Sequence, residues 1–394
     1  MVPGFFESLT HVAVRDRPVP MPPSTPWGRI CPFGGSRRSA NKTRDLCGNL
    51  NREDMILNLK HKFLSMAAAA SLSLGAMQAA AEELSVATFI PPQHHINAFF
   101  FKWFGEEVSK RSGGSLTIKV YPAGQLGAGP VQQYKRVVEG VADIAFGLQT
   151  YSPTIFPKSI LIVPPGKHET ALDSTKALLS VYDEHLADEY QDVKLLGLFT
   201  VAGPAWASTK DLSTMDKISG SKIVPFATMV TPWFDAMGAV PVQMPVTEMY
   251  TGLSTGTIDG TTISPAQMDK PWNFAEVGSH YIDNIPVTFA VFFVAMNKER
   301  YMELSDEHRA IIDDLAGETV SMMGATSFHN EGQRGIDWLA GNPAEMASVT
   351  SISVSDEERA KMDAAVAEGL KVIFEDYKSR GIPNAEEIYN ALNK

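Results

Sequence analysis

Cysteine is almost absent from this 394-residue chain, and both cysteines, Cys31 and Cys47, lie within the first 54 residues. From residue 82 onward neither disulfides nor thiol chemistry can therefore stabilise the chain or provide an activity. Apolar runs of transmembrane length are also lacking there. A basic excess is missing too, since 34 Lys and Arg residues against 45 Asp and Glu give a net charge of −11. That balance argues against nucleic acid or an anionic membrane as the main partner.

Catalytic and cofactor motifs are missing as well. The sequence contains no Gly-x-Ser-x-Gly, no Walker loop and no Gly-x-Gly-x-x-Gly after a strand, and KHETA at Lys167–Ala171 lacks the second histidine of His-Glu-x-x-His. His94 and His95 are adjacent, so on a strand they would face opposite ways and could not share a metal ion; a position at the edge of a cleft suits them better. We therefore expect no cofactor, no metal and no enzymatic activity.

The segment that starts at Met55 has the three parts of a secretory signal peptide. Lys60–Lys62 form a basic region, Phe63–Met77 form a fifteen-residue apolar and small-residue stretch, and Ala79–Ala81 supply a small-residue cleavage site. An internal Ala-rich helix of a cytosolic protein is the alternative. We interpret residues 55–81 as a signal peptide.

Residues 1–54 differ in composition from the rest, with seven of the 25 prolines and no helical or strand periodicity. A signal peptide cannot work behind such a segment, so we expect residues 1–54 to be a mis-assigned upstream start, and disordered. The predicted exported chain begins at Glu82. Its 24 Lys and Arg against 40 Asp and Glu give a charge of −16, and its expected location is periplasmic.

Hydrophobic periodicity in the exported part predicts alternating strands and helices. Strands are predicted at 84–89, 116–121, 143–147, 194–199, 222–225, 240–242 and 261–264, with helices near 97–110, 131–139, 231–237, 247–255, 305–328 and 356–380. This alternation indicates an α/β fold of two lobes with mostly parallel sheets. In such sheets ligands bind at the carboxyl ends of strands, here in the cleft between the lobes.

Three blocks of sequence carry a family resemblance. The first reads RSGGSLTIKVYPAGQLG from Arg111 to Gly127 and continues as GVADI at Gly140. The second reads GAVPVQMPVTEMYTGLSTGTIDG from Gly238, and the third consists of Asn297 and LSDEH at Leu304. In this order and spacing they resemble the solute-binding subunits of TRAP (tripartite ATP-independent periplasmic) transporters, the DctP type.

The resemblance implies a two-lobed periplasmic binding protein, type II-like, with a ligand cleft between the lobes and long hinge and C-terminal helices. It places lobe I at 82–205 plus about 287–345, and lobe II at 206–286 plus about 346–394. It also implies that a small-molecule solute and the membrane permease subunits are the partners. A monomer and a homodimer remain open, as do a sensory role and, on the same fold, a periplasmic enzyme.

The sequence departs from the family at the arginine that pairs with a substrate carboxylate. Where the family reads G-x-K-I-R-x-P, this chain reads Gly220-Ser-Lys-Ile-Val-Pro225, so Val224 replaces the arginine or the arginine is deleted. The solute is therefore expected to be a small polar molecule that need not be a carboxylate. An organic acid bound through another cation, such as Lys222, is the alternative.

Aromatic side chains could wall the pocket in the absence of the arginine, and such a wall suits an apolar or cationic solute. Packing in the core is the alternative for each of them. Polar side chains at strand ends would provide the hydrogen bonds. The predicted ligand-binding residues are His95, Gln149, Trp206, Val224, Phe226, Thr262 and Ser264.

Overall fold

The computed structural model describes residues 81–341 and 346–394. Its strands are β1 Glu82–Ala87, β2 Leu116–Tyr121, β3 Ile144–Leu148, β4 Val193–Gly203, β5 Ala205–Ser208, β6 Lys222–Val224, β7 Val240–Pro241, β8 Gly260–Ile263, β9 His280–Asp283, β10 Thr288–Asn297 and β11 Thr350–Ser353. Its α-helices are α1 Lys102–Arg111, α2 Gln133–Val138, α3 Ala171–Val181, α4 Met215–Ile218, α5 Thr231–Ala236, α6 Val246–Ser254, α7 Lys298–Glu303, α8 Asp306–Leu315, α9 Glu318–Gly341, α10 Asp356–Ser379 and α11 Ala385–Leu392.

Five strands form the first sheet, in the order β2-β1-β3-β10-β4. β1 runs parallel to β2 and β3, whereas β10 runs antiparallel to β3 and β4. All ten residues of β10, TFAVFFVAMN, are buried. A continuous apolar run is what a strand covered on both faces requires, and it explains why β10 lies inside the sheet and not at its edge.

Six strands form the second sheet, in the order β11-β9-β5-β8-β6-β7. Here β5 runs antiparallel to β8 and β9, and the other pairs are parallel. The α/β fold with two sheets confirms the predicted class, although each sheet contains one antiparallel strand. The lobe boundaries drawn from the sequence stay a prediction.

The long C-terminal helices contact helices and loops that pack beside each of the two sheets. α10 packs on α5, where Gly369 lies against the backbone of Trp233. The same helix donates a hydrogen bond from the Tyr377 hydroxyl to the Pro157 carbonyl, at 2.8 Å. Shortly after it, α11 packs on α3 and donates a hydrogen bond from Tyr389 to the Pro165 carbonyl. The predicted helix at 356–380 is thereby confirmed as α10.

The predicted helix at 305–328 is wrong as a single element. The chain forms α8 and α9 there, separated by Gly317 at a φ of 77°. Only glycine adopts that conformation at little cost, so it ends one helix and redirects the chain. The strands β5, β9, β10 and β11 were not predicted, whereas the strand at 116–121 is confirmed as β2.

The sequence predictions for residues 1–54 and for the signal peptide at 55–81 fall outside the described residues, apart from Ala81. Within residues 81–341 and 346–394, no helix is long and apolar enough to cross a lipid bilayer.

Candidate functional site

The carboxyl ends of strands from both sheets meet around one cavity. β1 leads into Phe89 and Ile90, and β3 leads into Thr150 and Tyr151. From the second sheet, β6 leads into Pro225 and Phe226, while β8 leads into Ser264 and Gln267. Ligands of open α/β sheets bind at such strand ends, so this cavity is the candidate ligand site.

The wall of the cavity is mainly apolar, and it encloses about 120 Å³ that the centre of a water molecule can reach. Two rings form its base: Phe292 and Phe328 stack with their centres 4.9 Å apart. Phe226 reaches the cavity across Gly203, where a side chain would collide with its ring. The aromatic residues that line the cavity are Phe89, Tyr151, Phe226, Trp272, Phe292 and Phe328. Flat apolar walls of this kind suit a small ring.

Two adjacent histidines line the cavity; His94 is buried and His95 is half-buried. The ring of His94 lies 4.2 Å from that of His95 and meets the edge of Trp272 at 5.9 Å. Nδ1 of His95 is 2.6 Å from the Ser327 hydroxyl on α9. Burial lowers the pKa of His94 to about 3. Burial and the neighbouring His94 hold the pKa of His95 well below its usual range. Both rings are therefore neutral at pH 7.

Among the described residues that line the cavity, the formally charged side chains are those of Lys270 and Glu331. Glu331 is paired, because Arg334 forms a hydrogen bond with it at 2.9 Å, but Arg334 also pairs with Asp269 at 2.8 Å, so the three side chains together carry one formal negative charge. The bond to Glu331 raises the pKa of Arg334. Lys270 is exposed at the rim and makes no ion pair or hydrogen bond through its ammonium group to any described residue. It is thus a cation that a ligand can use.

Beside the cavity, a hydrogen bond joins two segments that follow strands of different sheets. The backbone N–H of Val246, at the start of α6, donates to the Tyr151 hydroxyl at 3.2 Å. Pro245 precedes this helix and offers no side-chain cap, so Tyr151 satisfies one of the free amides of the first turn. Burial raises the pKa of Tyr151 to about 12, so the hydroxyl stays protonated.

Three of the seven predicted site residues come together at this cavity: His95, Phe226 and Ser264. Ser264 lies at the end of β8, as predicted, but its hydroxyl already forms a capping box with Gln267. The cation suggested from the sequence, Lys222, is exposed on β6 and is not part of the cavity wall.

The other four predicted residues are buried behind the cavity and do not line it. Trp206 packs on Phe234 in the core and lies beside Thr262 on the neighbouring strand. Val224 packs in the core of the second sheet. Gln149 donates a hydrogen bond to the Tyr190 hydroxyl at 3.1 Å. Ligand contact for these four, as for the three in the wall, stays a prediction.

Sequence reasoning did not select several residues that line the cavity, namely His94, Tyr151, Lys270 and Trp272. The argument from a strand excluded only a metal ion shared by His94 and His95; the two residues lie where the helical segment that leads into α1 begins, and their ring centres are 4.2 Å apart. Lys270 and Trp272 follow β8 by several residues. The signal that could have found them is their position after a strand end together with a proline, Pro271, that breaks the pattern.

Several known proteins are similar to this chain. The outer membrane transporter protein TsaT of Comamonas testosteroni is 27% identical over 268 residues, which cover 66% of this chain and 78% of that protein. A TRAP solute-binding protein from a marine metagenome, solved with 3-hydroxybenzoate, superposes with a TM-score of 0.73 at 25% identity and covers 79% of this chain and 97% of that one. A TRAP solute-binding protein from Rhodoferax ferrireducens, solved with benzoate, gives 0.72 at 27% identity and covers 79% and 96%.

The family model for bacterial extracellular solute-binding proteins, family 7, matches residues 86–376. This match spans both sheets and every residue of the cavity wall. Proteins of this kind bind small molecules and work with membrane permease subunits. The chain belongs to the DctP family and is a solute-binding receptor of the TRAP transporter type.

Proposed function

We propose that this receptor captures a small aromatic carboxylic acid, with the ring between the aromatic walls and the carboxylate directed to Lys270. One observation carries the proposal: the cavity is walled by aromatic side chains, and its lysine has no partner among the described residues. Burying a ring against such walls contributes roughly 25 cal/mol per Å² of apolar surface. The lysine then favours rings that carry a negative charge.

Two relatives support an aromatic acid as the solute. The proteins solved with 3-hydroxybenzoate and with benzoate are 25% and 27% identical to this chain and share its fold over 79% of its length. An organic acid held by a cation other than the family arginine was one of the alternatives left open by the sequence. Lys270 supplies that cation in place of Lys222. Because an ammonium group is a point charge without the planar fork of arginine, it imposes less orientation on the carboxylate.

We further propose how the receptor works as a whole. Solute binding closes lobe I (82–205 plus about 287–345) on lobe II (206–286 plus about 346–394), and the closed form docks on the membrane permease. This takes place in the periplasm, after the segment 55–81 has directed export. The protein releases its solute unchanged, without a cofactor, and acts as a monomer or a homodimer. Nucleic acid has no part in this function.

Calorimetric titration of the purified protein tests the ligand class. The panel is benzoate, 3-hydroxybenzoate, cyclohexanecarboxylate, succinate, benzyl alcohol and benzylamine. We expect the two aromatic acids to bind most tightly and benzylamine not to bind. Binding of benzylamine or benzyl alcohol without the acids would instead establish a cationic or neutral solute. Binding of succinate alone would contradict the role of the aromatic walls.

A further inference from the structure

We propose that His94 donates a hydrogen bond from Nε2 to the carboxylate of the bound solute and so, together with Lys270, takes the place of the missing family arginine. This inference rests on the proposed function, because it assumes that an aromatic acid occupies the cavity. It assigns a specific ligand contact to a residue that the sequence pattern did not single out.

The position of the His94 proton follows from a backbone contact. The N–H of Ile96 donates to Nδ1 of His94 at 3.3 Å. An accepting Nδ1 holds a lone pair, so the proton of a neutral ring must be on Nε2. The ring is neutral because burial lowers the pKa of His94 to about 3. The backbone therefore fixes one tautomer, with a donor at Nε2.

This donor is available to a ligand. His94 is 6% exposed and belongs to the cavity wall, and its Nε2 has no hydrogen-bond partner among the described residues. The packed rings of His95 and Trp272 hold it in place, at 4.2 and 5.9 Å between centres. An N–H on the cavity wall gains a charged acceptor when a carboxylate binds there.

Trp272 also links the histidine to the lysine. Only Pro271 separates Trp272 from Lys270, and both residues line the cavity. Since the Trp272 ring contacts His94, the chain segment that carries Lys270 adjoins His94 at the cavity. A hydrogen bond to a carboxylate is roughly twice as strong as one between neutral groups, and the dry wall around His94 strengthens it further. Lys270 thus provides the positive charge that attracts the carboxylate, and His94 provides the hydrogen bond that orients it.

Nitrogen NMR of the protein labelled with ¹⁵N-histidine tests this inference directly, with benzoate as the probe. In the free protein we expect His94 to show an unprotonated Nδ1 and a protonated Nε2. On addition of benzoate its Nε2 proton should move downfield, because it enters a charge-assisted hydrogen bond. A core histidine with a purely structural role would not give this shift.

Substitutions provide the second readout. His94→Phe keeps an aromatic ring but removes the donor, and should weaken benzoate binding at least about tenfold. His94→Gln places an amide N–H near the position of Nε2 and should restore part of the affinity. His329→Gln, on an exposed position of α9, is the control and should bind like the unmodified protein.

The outcomes separate the two proposals. If the unmodified protein binds no aromatic acid, the proposed function fails and this inference fails with it. If it binds benzoate but the His94 Nε2 resonance does not move, only the inference is overturned, and that result needs no variant to fold. Equal binding by His94→Phe would overturn the inference as well.

Discussion

The two walls of the cavity recognise a ligand by different means. The first wall, defined by His94, His95 and Tyr151, comes from segments that follow strands of the first sheet, and its polar groups are held neutral. The second wall, defined by Ser264 and Lys270, follows a strand of the second sheet and ends in an exposed ammonium group. A fixed neutral group discriminates by geometry, whereas a mobile charge discriminates by sign. The family arginine combines both properties in one side chain.

The largest effect is expected from a substitution that displaces the backbone segment just after Ser264 in the second wall. A β-carbon on Gly335 of α9 would collide with the backbone of Pro265 and Ala266. Backbone cannot move aside cheaply, so Gly335→Ala should lower the free energy of unfolding by about 1–3 kcal/mol and weaken binding. At Gly332, one turn earlier, the nearest atom is 3.7 Å away, and Gly332→Ala should be neutral or stabilising. Urea unfolding of both variants checks this, and equal effects would contradict it.

Removing the charge of the second wall should come next. Lys270→Met keeps much of the apolar stem and should weaken binding of aromatic acids by about 10–100-fold, as expected for a hydrogen bond to a charged group. Its effect on a neutral analogue such as benzyl alcohol should be small. The matched control is Lys222→Met, an exposed lysine outside the cavity wall. Calorimetric titration measures both, and similar losses would remove the specific role of Lys270.

Removing the hydrogen bond between the Val246 amide and Tyr151 of the first wall should have a smaller effect. Tyr151→Phe removes the acceptor for the Val246 amide but keeps the ring in the cavity wall. We expect a loss of about 0.5–1.5 kcal/mol in binding free energy, because the closed form loses one hydrogen bond. Small-angle X-ray scattering with saturating ligand should then show a less compact average. An unchanged scattering curve and affinity would mean that closure does not use this bond.

The smallest effect concerns the cluster of Glu82, Arg300 and His308 beside the first sheet. Substitution of Glu82 should leave the cavity unchanged. Burial opposes ionisation of Glu82, but hydrogen bonds from Arg300 and His308 outweigh it and lower the pKa of Glu82. A lowered pKa stabilises the fold above the usual carboxyl pKa, and this contribution is lost as the pH falls through the folded-state pKa.

Glu82→Gln should therefore lower the free energy of unfolding at pH 7 by less than about 1 kcal/mol, and the melting temperature should fall slightly with it. The difference from the unmodified protein should narrow as the pH falls below the usual carboxyl pKa of about 4.3. Glu83→Gln is the control, since among the described residues Glu83 pairs with the exposed Lys119 alone, at 3.6 Å. Thermal unfolding between pH 7 and 3 measures the gap, and a gap that does not narrow toward pH 3 would contradict the assignment.

Hydrophobic alternation and glycine positions predicted those strands and helix ends that depend on neighbouring residues in the sequence. The alternation of LTIKVY gives β2 at 116–121, and the glycines after helices give the ends of α2 and α5 closely. The antiparallel insertions of β5 and β10 could not be predicted this way, because they depend on where the chain crosses between sheets. The break between α8 and α9 could have been predicted from Gly317, but the apolar periodicity on both sides hid it.

The candidate site was only partly predictable, for a geometric reason. Strand ends can be located from sequence, and Phe226 and Ser264 follow from them. Which face of a strand is turned to the cavity depends on register and twist. Trp206 and Thr262 are on strands near the cavity, yet both are buried in the core. Lys270 and His94 lie in irregular segments whose path no periodicity describes.

The position of β10 also determines when the chain can fold. It lies between β3 and β4, although it follows them by more than eighty residues. A nascent chain that ends before residue 288 therefore has β3 and β4 without the strand that joins them, and their inner edges remain unpaired. The first sheet can therefore be completed only after the second sheet's strands β5 to β9 have been synthesised. We expect a polypeptide with this topology to remain incompletely folded until β10 has been synthesised.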